Sequence, residues 1–226
     1  MIIQIEPWID EEEMFQLRRV VDSTYVTEGA LTSEFEEKIR HLTGADHAIA
    51  MTNGTLALYA CLKSLGIGPG DEVIVPDMTF IASANAVIMA GAMPRFCDIR
   101  RDTYCIDMDA AQDLVTPRTR AVMPVHLYGQ AADMTSVLAF AKQHQLFVVE
   151  DAAQGVGVRF NNQHVGTIGD LGILSFYGNK TITCGEGGII LTNDESLARA
   201  CYRLKNHGRD RKGIFVHDEI GFNFSF

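Results

Sequence analysis

Short apolar runs alternate with amphipathic segments along most of the chain. Such runs, bounded by polar or glycine-containing turns, are typical of buried strands, whereas the segments between them have helical spacing. We predict strands at residues 47–51, 72–75, 93–97, 120–125, 146–150, 171–175 and 188–191. Helices are predicted at residues 55–65, 80–90, 134–144 and 195–205. This order indicates a three-layer α/β fold, in which helices cover both faces of a mostly parallel sheet.

The N-terminal part of the chain, about residues 1–45, is predicted to be a helical segment. Within it, Ser33 and Glu36 match the spacing of a capping box, which predicts a helix from this motif to about residue 41. No internal repeat, low-complexity tract or long linker divides the sequence. We therefore expect residues 1–226 to form one large domain.

The formal net charge of the chain is −10, which would repel the phosphate backbone of a nucleic acid. The first residues lack the basic start and apolar run of a signal peptide. No apolar stretch reaches the roughly 18 residues that a membrane-spanning helix needs. We expect neither a nucleic acid nor a membrane as a partner, and an anionic ligand would have to be held by helix dipoles and a few placed cations.

The five cysteines are odd in number and include no CxxC pair. This pattern predicts reduced thiols in a cytoplasmic protein rather than a disulfide framework. No group of histidines and cysteines has the spacing of a zinc site, so no metal is expected.

Polar residues follow three of the predicted strands. In a parallel α/β sheet, ligands bind beyond the carboxyl ends of the strands. Gly54 and Thr55 open a helix after the first strand, where free N–H groups and the positive helix end suit an anion. Asp151 directly follows another strand, and Lys180 lies in a loop before a glycine-rich turn. Taken singly, these residues are better explained as a plain turn, a helix cap and a solvated surface lysine.

The combination of an anion-binding turn, a carboxylate and a loop lysine points to pyridoxal 5′-phosphate (PLP). The phosphate of PLP needs a helix N-terminus. Its pyridine nitrogen needs a carboxylate that keeps the ring protonated as an electron sink, and its aldehyde needs a lysine amine for a Schiff base. The pattern therefore predicts Lys180 and Asp151 as catalytic residues.

At these residues the sequence resembles the DegT/DnrJ/EryC1/StrS family of sugar aminotransferases, which are fold-type I PLP enzymes. The resemblance covers most of the chain, in family order, and two of its motifs are specific when they occur together: GPGDEVIVPDMTF and SFYGNK followed by GEGG. The other matching segments are TNGTLALYACLKSLGI, IASANAV, PVHLYGQ, VVEDAAQGVG and NHGRD. The resemblance implies that the chain has the fold of the large domain of a fold-type I enzyme.

The resemblance also implies a role for each matching residue. Lys180 corresponds to the Schiff-base lysine, and Asp151 corresponds to the partner of the pyridine nitrogen. Gln154 corresponds to the residue that hydrogen-bonds the ring hydroxyl of the cofactor. His126 and His207 lie in family-like segments, and we expect both to be structural histidines without an assigned role.

The remaining matches concern the phosphate and the face of the ring. Gly54 and Thr55 correspond to the phosphate turn, and Ser175 corresponds to a hydroxyl that binds the same phosphate. Phe80 corresponds to the aromatic residue that stacks on the ring. A phenylalanine suits this role, since its flat apolar face covers the ring without competing for its protons. The alternative for Phe80 is a core aromatic residue at a helix start.

Members of this family carry a smaller C-terminal domain, which we expect to be absent from residues 1–226. The residues from Gly221 resemble the start of a family segment whose asparagine, here Asn223, reaches the cofactor phosphate of the neighbouring subunit. The resemblance therefore implies a homodimer. We expect the chain to be the PLP-binding large domain of a longer enzyme, with little or no aminotransferase activity alone.

The implied reaction moves an amino group from an amino acid, glutamate in most members of the family, to a nucleotide-linked keto sugar. A PLP-dependent sugar dehydratase is an alternative, although such relatives have histidine at the position of Lys180. A non-catalytic truncated or regulatory protein that keeps the fold is a third possibility. The transfer needs a neutral lysine, so the site is expected to depress the pKa of Lys180.

Overall fold

A central seven-stranded sheet organises the computed structural model, which describes residues 6–210, 213, 215–217 and 219–226. Its strands are β1 (His47–Met51), β2 (Glu72–Pro76), β3 (Met93–Cys97), β4 (Thr119–Val122), β5 (Phe147–Asp151), β8 (Leu171–Ser175) and β9 (Gly188–Thr192), while β6 (Arg159–Phe160) and β7 (Gln163–His164) form a separate hairpin. The strand order across the large sheet is β1-β9-β8-β5-β4-β2-β3.

Six of the seven strands of this sheet point the same way, and β9 alone is reversed. The pairs β2·β3, β2·β4, β4·β5 and β5·β8 are parallel. Strand β9 is antiparallel to both of its neighbours, with Gly188 opposite Ser175 on one side and opposite Met51 on the other. The carboxyl ends of β1 and β8 therefore meet the amino end of β9 at one edge of the sheet.

In the described part of the chain, seven α-helices surround the sheet. They are α1 (Glu11–Ser23), α2 (Ala30–Thr43), α3 (Gly54–Ser64), α4 (Ala82–Met89), α5 (Met108–Ala111), α6 (Met134–His144) and α7 (Glu195–Lys205). Successive strand residues point to opposite faces. Val73 and Val75 pack in the core with α3, α4 and α7, whereas Ile74 and Val148 pack with α5 and α6 and Leu174 packs with α2. This confirms the predicted three-layer α/β architecture.

The predicted strands and long helices are all present, with boundaries within three residues of those observed. The capping box is wrong, because α2 begins at Ala30 after Gly29 and Ser33 lies inside the helix. The Ser33 hydroxyl bonds the Gly29 carbonyl, while the Glu36 carboxylate accepts the N–H of Ala50, at 2.8 Å. The short α5 and the β6–β7 hairpin were not predicted, since both are too short to show a periodic pattern.

Lys205 ties α7 to the N-terminal segment in the interior. Its side chain is 1% exposed, forms an ion pair with the buried Glu28 and donates to the carbonyl of Ala50 at 2.8 Å. The Glu36 carboxylate lies 3.9 Å from the same ammonium. Because Ala50 is bonded through both its N–H and its carbonyl, the end of β1 is held firmly just before the turn into α3.

The residues 222–226, here called the C-terminal strap, cross the sheet edge beside β1. The carbonyl of Phe224 accepts the N–H of Thr52 at 3.3 Å. The ring of Phe226 stacks on the ring of Phe35, with 5.4 Å between centroids. The C-terminal strap therefore supports the same turn from outside.

All five cysteines are free thiols, as predicted, and only Cys184 is exposed. Among the described residues, no helix has both the length and the apolar character needed to cross a bilayer.

Candidate active site

A cleft of about 580 Å³ lies beyond the carboxyl ends of the parallel strands. Seven of the predicted site residues line it: Gly54, Thr55, Phe80, Asp151, Gln154, Ser175 and Lys180. Asp151 and Ser175 are the last residues of β5 and β8, and the other five lie in the segments that follow β1, β2, β5 and β8. The topology therefore brings together residues that are separated by up to 126 positions in the sequence.

The N-terminus of α3 forms one wall of the cleft. Asn53 caps this helix, with its side-chain oxygen accepting the N–H of Leu56 at 2.9 Å. The N–H groups of the first residues, Gly54 and Thr55, have no acceptor within the helix, which gives the wall a positive end. A Cβ on Gly54 would lie 3.2 Å from the Cβ of Ser175 and 3.5 Å from its hydroxyl. Glycine thus lets the helix start lie against the Ser175 hydroxyl.

Asp151 is a buried carboxylate at the floor of the cleft, 4% exposed. One oxygen accepts the hydroxyl of Ser83 at 2.6 Å, and the other accepts the N–H of Ala153 at 3.1 Å. Because the proton of Ser83 points to the carboxylate, the Thr79 hydroxyl, 2.8 Å away, donates to Ser83. These bonds fix the orientation of the carboxyl group, since each of its oxygens accepts one hydrogen bond.

Lys180 lies half-buried in the loop between β8 and β9, with its N–H bonded to the Tyr177 carbonyl at 2.9 Å. The loop closes on itself, since Phe176 donates its N–H to the carbonyl of Gly187, also at 2.9 Å. Burial lowers the pKa of the Lys180 ammonium below its ordinary value, while the negative charge of Asp151 opposes that shift. The direction of this shift agrees with the lowered pKa that is expected from the sequence.

Gln154 and Phe80 occupy the remaining parts of the cleft wall. The side-chain oxygen of Gln154 accepts the N–H of Tyr128 at 2.6 Å. Phe80 is 67% exposed at the entrance to α4. It is not the core aromatic of the alternative interpretation, and its ring is available to cover a flat ligand.

Two histidines and one asparagine from the sequence analysis lie outside the cleft. His126 is fully buried, and both ring nitrogens are hydrogen-bonded, to Glu150 and to the N–H of Ala132. This confirms a structural histidine at that position. His207 is exposed and makes its hydrogen bonds through the main chain. Asn223 is also exposed, and its side chain accepts the N–H of Ser225 at 3.4 Å.

Two residues that shape the site, Ser83 and Gly188, were not predicted as site residues from the sequence. Ser83 is fully buried in α4 and bonds a carboxylate 68 positions away. Gly188 lies at the start of β9, where a Cβ would meet the carbonyl carbon of Asn53 at 2.5 Å. The glycine run at 185–188 signalled a close approach of backbone, although not its partner.

Three polar features of the cleft match three parts of the PLP molecule. A helix N-terminus with two nearby hydroxyls suits a phosphate, and the buried carboxylate suits a protonated pyridine nitrogen. An amine whose pKa is lowered by burial suits a carbonyl carbon. The helix N-terminus, the carboxylate and the amine lie at the carboxyl ends of three different strands of the same sheet.

We expect Gly188→Ala to displace the turn at Asn53 and Gly54 and to weaken PLP binding. The added methyl would overlap main-chain atoms rather than a flexible side chain, and overpacking of this kind costs about 1–3 kcal/mol. The measurement is the free energy of unfolding in urea together with the Kd for PLP. Gly178→Ala is the matched control, because a Cβ there meets nothing within 4 Å. Equal values for both variants would contradict the close contact.

The lowered pKa of Lys180 predicts a pH-dependent stability of the cofactor-free protein. Between that pKa and the ordinary value of 10.5, the unfolded chain binds more protons at this lysine than the folded chain. Stability should therefore rise with pH through this window. Lys180→Met should be more stable than the wild type at pH 7, and the difference should shrink as the pH approaches 10.5. Urea unfolding of both proteins from pH 7 to 10 tests this, and a pH-independent difference would disprove it.

The sheet topology is that of the PLP-dependent aminotransferases of fold-type I, which are the structural neighbours of the chain. The chain belongs to the DegT/DnrJ/EryC1/StrS aminotransferase family, whose model matches residues 7–226. The cofactor of this family is PLP. The resemblance seen in the sequence motifs is thus confirmed.

Known relatives are similar along nearly the whole chain. GDP-perosamine synthase of Caulobacter vibrioides is 44% identical over 219 residues, which cover 96% of this chain and 59% of that protein. An aminotransferase structure from Psychrobacter cryohalolentis matches with a TM-score of 0.92 at 36% identity, covering 98% of this chain and 60% of that one. NtdA of Bacillus subtilis, solved with bound PMP, matches with a TM-score of 0.87 at 33% identity, covering 100% and 54%. The chain therefore spans about 59% of the length of the synthase.

Proposed function

We propose that this chain is the PLP-binding part of an aminotransferase that moves an amino group from an amino acid to a nucleotide-linked keto sugar. The observation that carries the proposal is the presence of Lys180 and Asp151 in one cleft. The lysine has a pKa lowered by burial, and the carboxyl group of Asp151 is buried. Family membership and the name of GDP-perosamine synthase support a sugar as the acceptor.

When bound, PLP supplies a carbonyl group that takes up an amino group and a ring that withdraws electrons. The chain supplies the proton transfers. The neutral amine of Lys180 accepts a proton at Nζ and can return it to a neighbouring carbon, because the loop holds it inside the cleft. The carboxylate of Asp151 would accept a hydrogen bond from a protonated nitrogen placed against it and stabilise its charge.

The other cleft residues bind and orient rather than react. The N–H groups of Gly54 and Thr55, with the hydroxyl of Ser175, provide donors for a phosphate at the start of α3. Phe80 offers an apolar face that covers a ring and keeps water from one side of it. In a chain with a net charge of −10, this local set of donors is what makes an anion site possible.

The proposal extends to the assembly. We propose that residues 1–226 form the PLP-binding large domain, that the protein is a cytoplasmic homodimer, and that Asn223 binds the cofactor phosphate of the neighbouring subunit. The exposed position of Asn223, outside the cleft of its own chain, supports a contact with another subunit. Glutamate is the proposed amino donor.

The test is a two-step assay with a purified protein of the full family length. PLP is added first, and binding is followed by visible absorbance. Glutamate is then added without a sugar, and formation of 2-oxoglutarate in an amount equal to the bound PLP is expected, followed by turnover when a nucleotide-linked keto sugar is supplied. Absence of PLP binding would overturn the proposal. Consumption of the sugar without transfer of the amino group would favour a dehydratase, and binding without either reaction would favour a non-catalytic protein.

A further inference from the structure

The segment between β4 and α6 is pinned to the two polar residues at the floor of the cleft. Val125 pairs with Asp151 in a parallel bridge, and His126 donates its N–H to the Asp151 carbonyl at 3.0 Å. Three residues further along the chain from Asp151, Gln154 accepts the N–H of Tyr128. This segment therefore contacts both Asp151 and Gln154, although it contributes only apolar side chains to the cleft lining.

The ring of His126 closes this segment into a loop, residues 127–131. Its Nδ1 accepts the N–H of Ala132 at 3.1 Å, so the proton of the neutral ring lies on Nε2, which donates to Glu150 at 2.9 Å. Both side chains are completely buried. One histidine thus joins the two ends of the loop to each other and to β5.

Glu150 is itself fixed by main-chain donors. Its two oxygens accept the N–H groups of Gly166, Ile168 and Gly169 at 2.7–2.8 Å, in addition to the histidine. Several donors of this kind compensate the cost of burying the carboxylate. The support under the loop is consequently rigid, because every polar atom of the His126 and Glu150 side chains is bonded.

At the tip of the loop, Tyr128 has a left-handed backbone, with φ 53° and ψ 27°. This conformation is unfavourable for a residue with a side chain and persists only where the surroundings enforce it. Here it directs the N–H of Tyr128 to the side-chain oxygen of Gln154, at 2.6 Å. The strained residue therefore holds the amide of a cleft residue in one orientation.

The direction of the hydrogen bond from Tyr128 to Gln154 determines which atom of the Gln154 amide faces the cleft. A main-chain N–H can only donate, so the amide oxygen must be the atom that faces Tyr128. The NH2 group of Gln154 then remains to face a ligand, and it can only donate. We propose that the loop 127–131, closed by His126, sets Gln154 as a hydrogen-bond donor to the ring oxygen of PLP, which makes His126 a positioning residue.

This inference rests on the proposed function and deepens it. A donor at this place stabilises the ionised ring hydroxyl of PLP, whereas a flipped amide would present an oxygen and repel it. Loss of the loop contact should therefore act on PLP in the same direction as loss of the Gln154 amide. A buried histidine that only stabilised the fold would not share that effect.

The experiment compares three variants by their Kd for PLP and by the absorbance spectrum of the bound cofactor. Gln154→Ala should weaken PLP binding about three- to tenfold, the size of one lost hydrogen bond. His126→Gln should do the same. Tyr128→Gly keeps the N–H and suits a left-handed backbone, so its spectrum should match the wild type. Urea midpoints establish that each variant is folded.

A double-mutant cycle separates positioning from general stability. Because His126 acts through Gln154, the double variant His126→Gln with Gln154→Ala should bind PLP no more weakly than Gln154→Ala alone. His144→Gln, at a histidine that bonds Gln112 outside the cleft, is the matched control and should leave binding unchanged.

The outcomes are distinct. Additive losses in the cycle, or a His126→Gln protein with the wild-type Kd and spectrum, would overturn the inference while leaving the proposed function intact. A wild-type protein that binds no PLP would overturn the proposed function, and this inference with it. Non-additive losses together with a wild-type spectrum for Tyr128→Gly would support the positioning role.

Discussion

Replacing Lys180 with alanine is expected to abolish the covalent attachment of PLP while the fold remains intact. The side chain projects from a loop into the cleft rather than into the core. Removing its amine eliminates both the attachment point and the proton carrier. Loss of general acid–base catalysis alone lowers a rate by about 10²–10⁴-fold. Borohydride reduction followed by peptide mapping measures the attachment directly.

The controls for this variant are other lysine substitutions. Lys142→Ala, on the exposed surface of α6, should leave the attachment and the rate unchanged. Lys180→Arg should lose the attachment although it keeps the positive charge, because a guanidinium stays protonated. A borohydride label on any lysine other than Lys180 would disprove the assignment.

Asp151→Asn is expected to leave PLP bound and to lower the transamination rate by at least about a hundredfold, as loss of a preorganised charge does in other enzymes. The amide has the size of the carboxylate. Its oxygen can still accept the N–H of Ala153 while its NH2 group donates to the hydroxyl of Ser83, so the cleft should keep its shape. It lacks the negative charge that keeps the pyridine nitrogen protonated. The rate is measured with saturating PLP, in a protein of the full family length.

Binding and turnover must be separated for this variant. A Kd for PLP within about tenfold of the wild type, combined with the lower rate, is the expected pattern. Asp113→Asn, at an exposed position outside the cleft, controls for the loss of one negative charge from the chain. Near wild-type turnover in Asp151→Asn would rule out the role given to this carboxylate.

The strands and long helices could be predicted from the sequence because their apolar patterns are local. The apolar run at Leu171–Ser175 and the helix at Met134–His144 have the predicted bounds. The prediction of a capping box at Ser33 was wrong because the spacing of a motif does not show which hydrogen-bond donor its acidic residue will bind. Glu36 matches the motif, yet its carboxylate bonds Ala50, 14 residues away and on the neighbouring strand.

The convergence of the candidate site residues in one cleft could be predicted from the sequence, whereas the residues that support them could not. Lys180, Asp151 and Gly54 follow strand ends, and the parallel topology then requires them to meet. Ser83 could not be found in the same way, since a serine in an apolar helix has no local signal for a carboxylate 68 residues away. The buried lysine at position 205 was equally hidden, because lysines are almost always exposed.

Strand β9 is the one reversed strand of the large sheet, and its direction has a consequence for the Lys180 loop. A parallel crossover would carry the chain to the opposite ends of the strands. This loop instead joins the carboxyl end of β8 to the amino end of β9 on the same side of the sheet. Its ends are therefore tethered by the fold, and the entropy of closing them is lost when the protein folds rather than when a ligand binds. Since closure entropy changes slowly with length, residues could be inserted between Tyr177 and Glu186 to alter the reach of the lysine without disturbing the sheet.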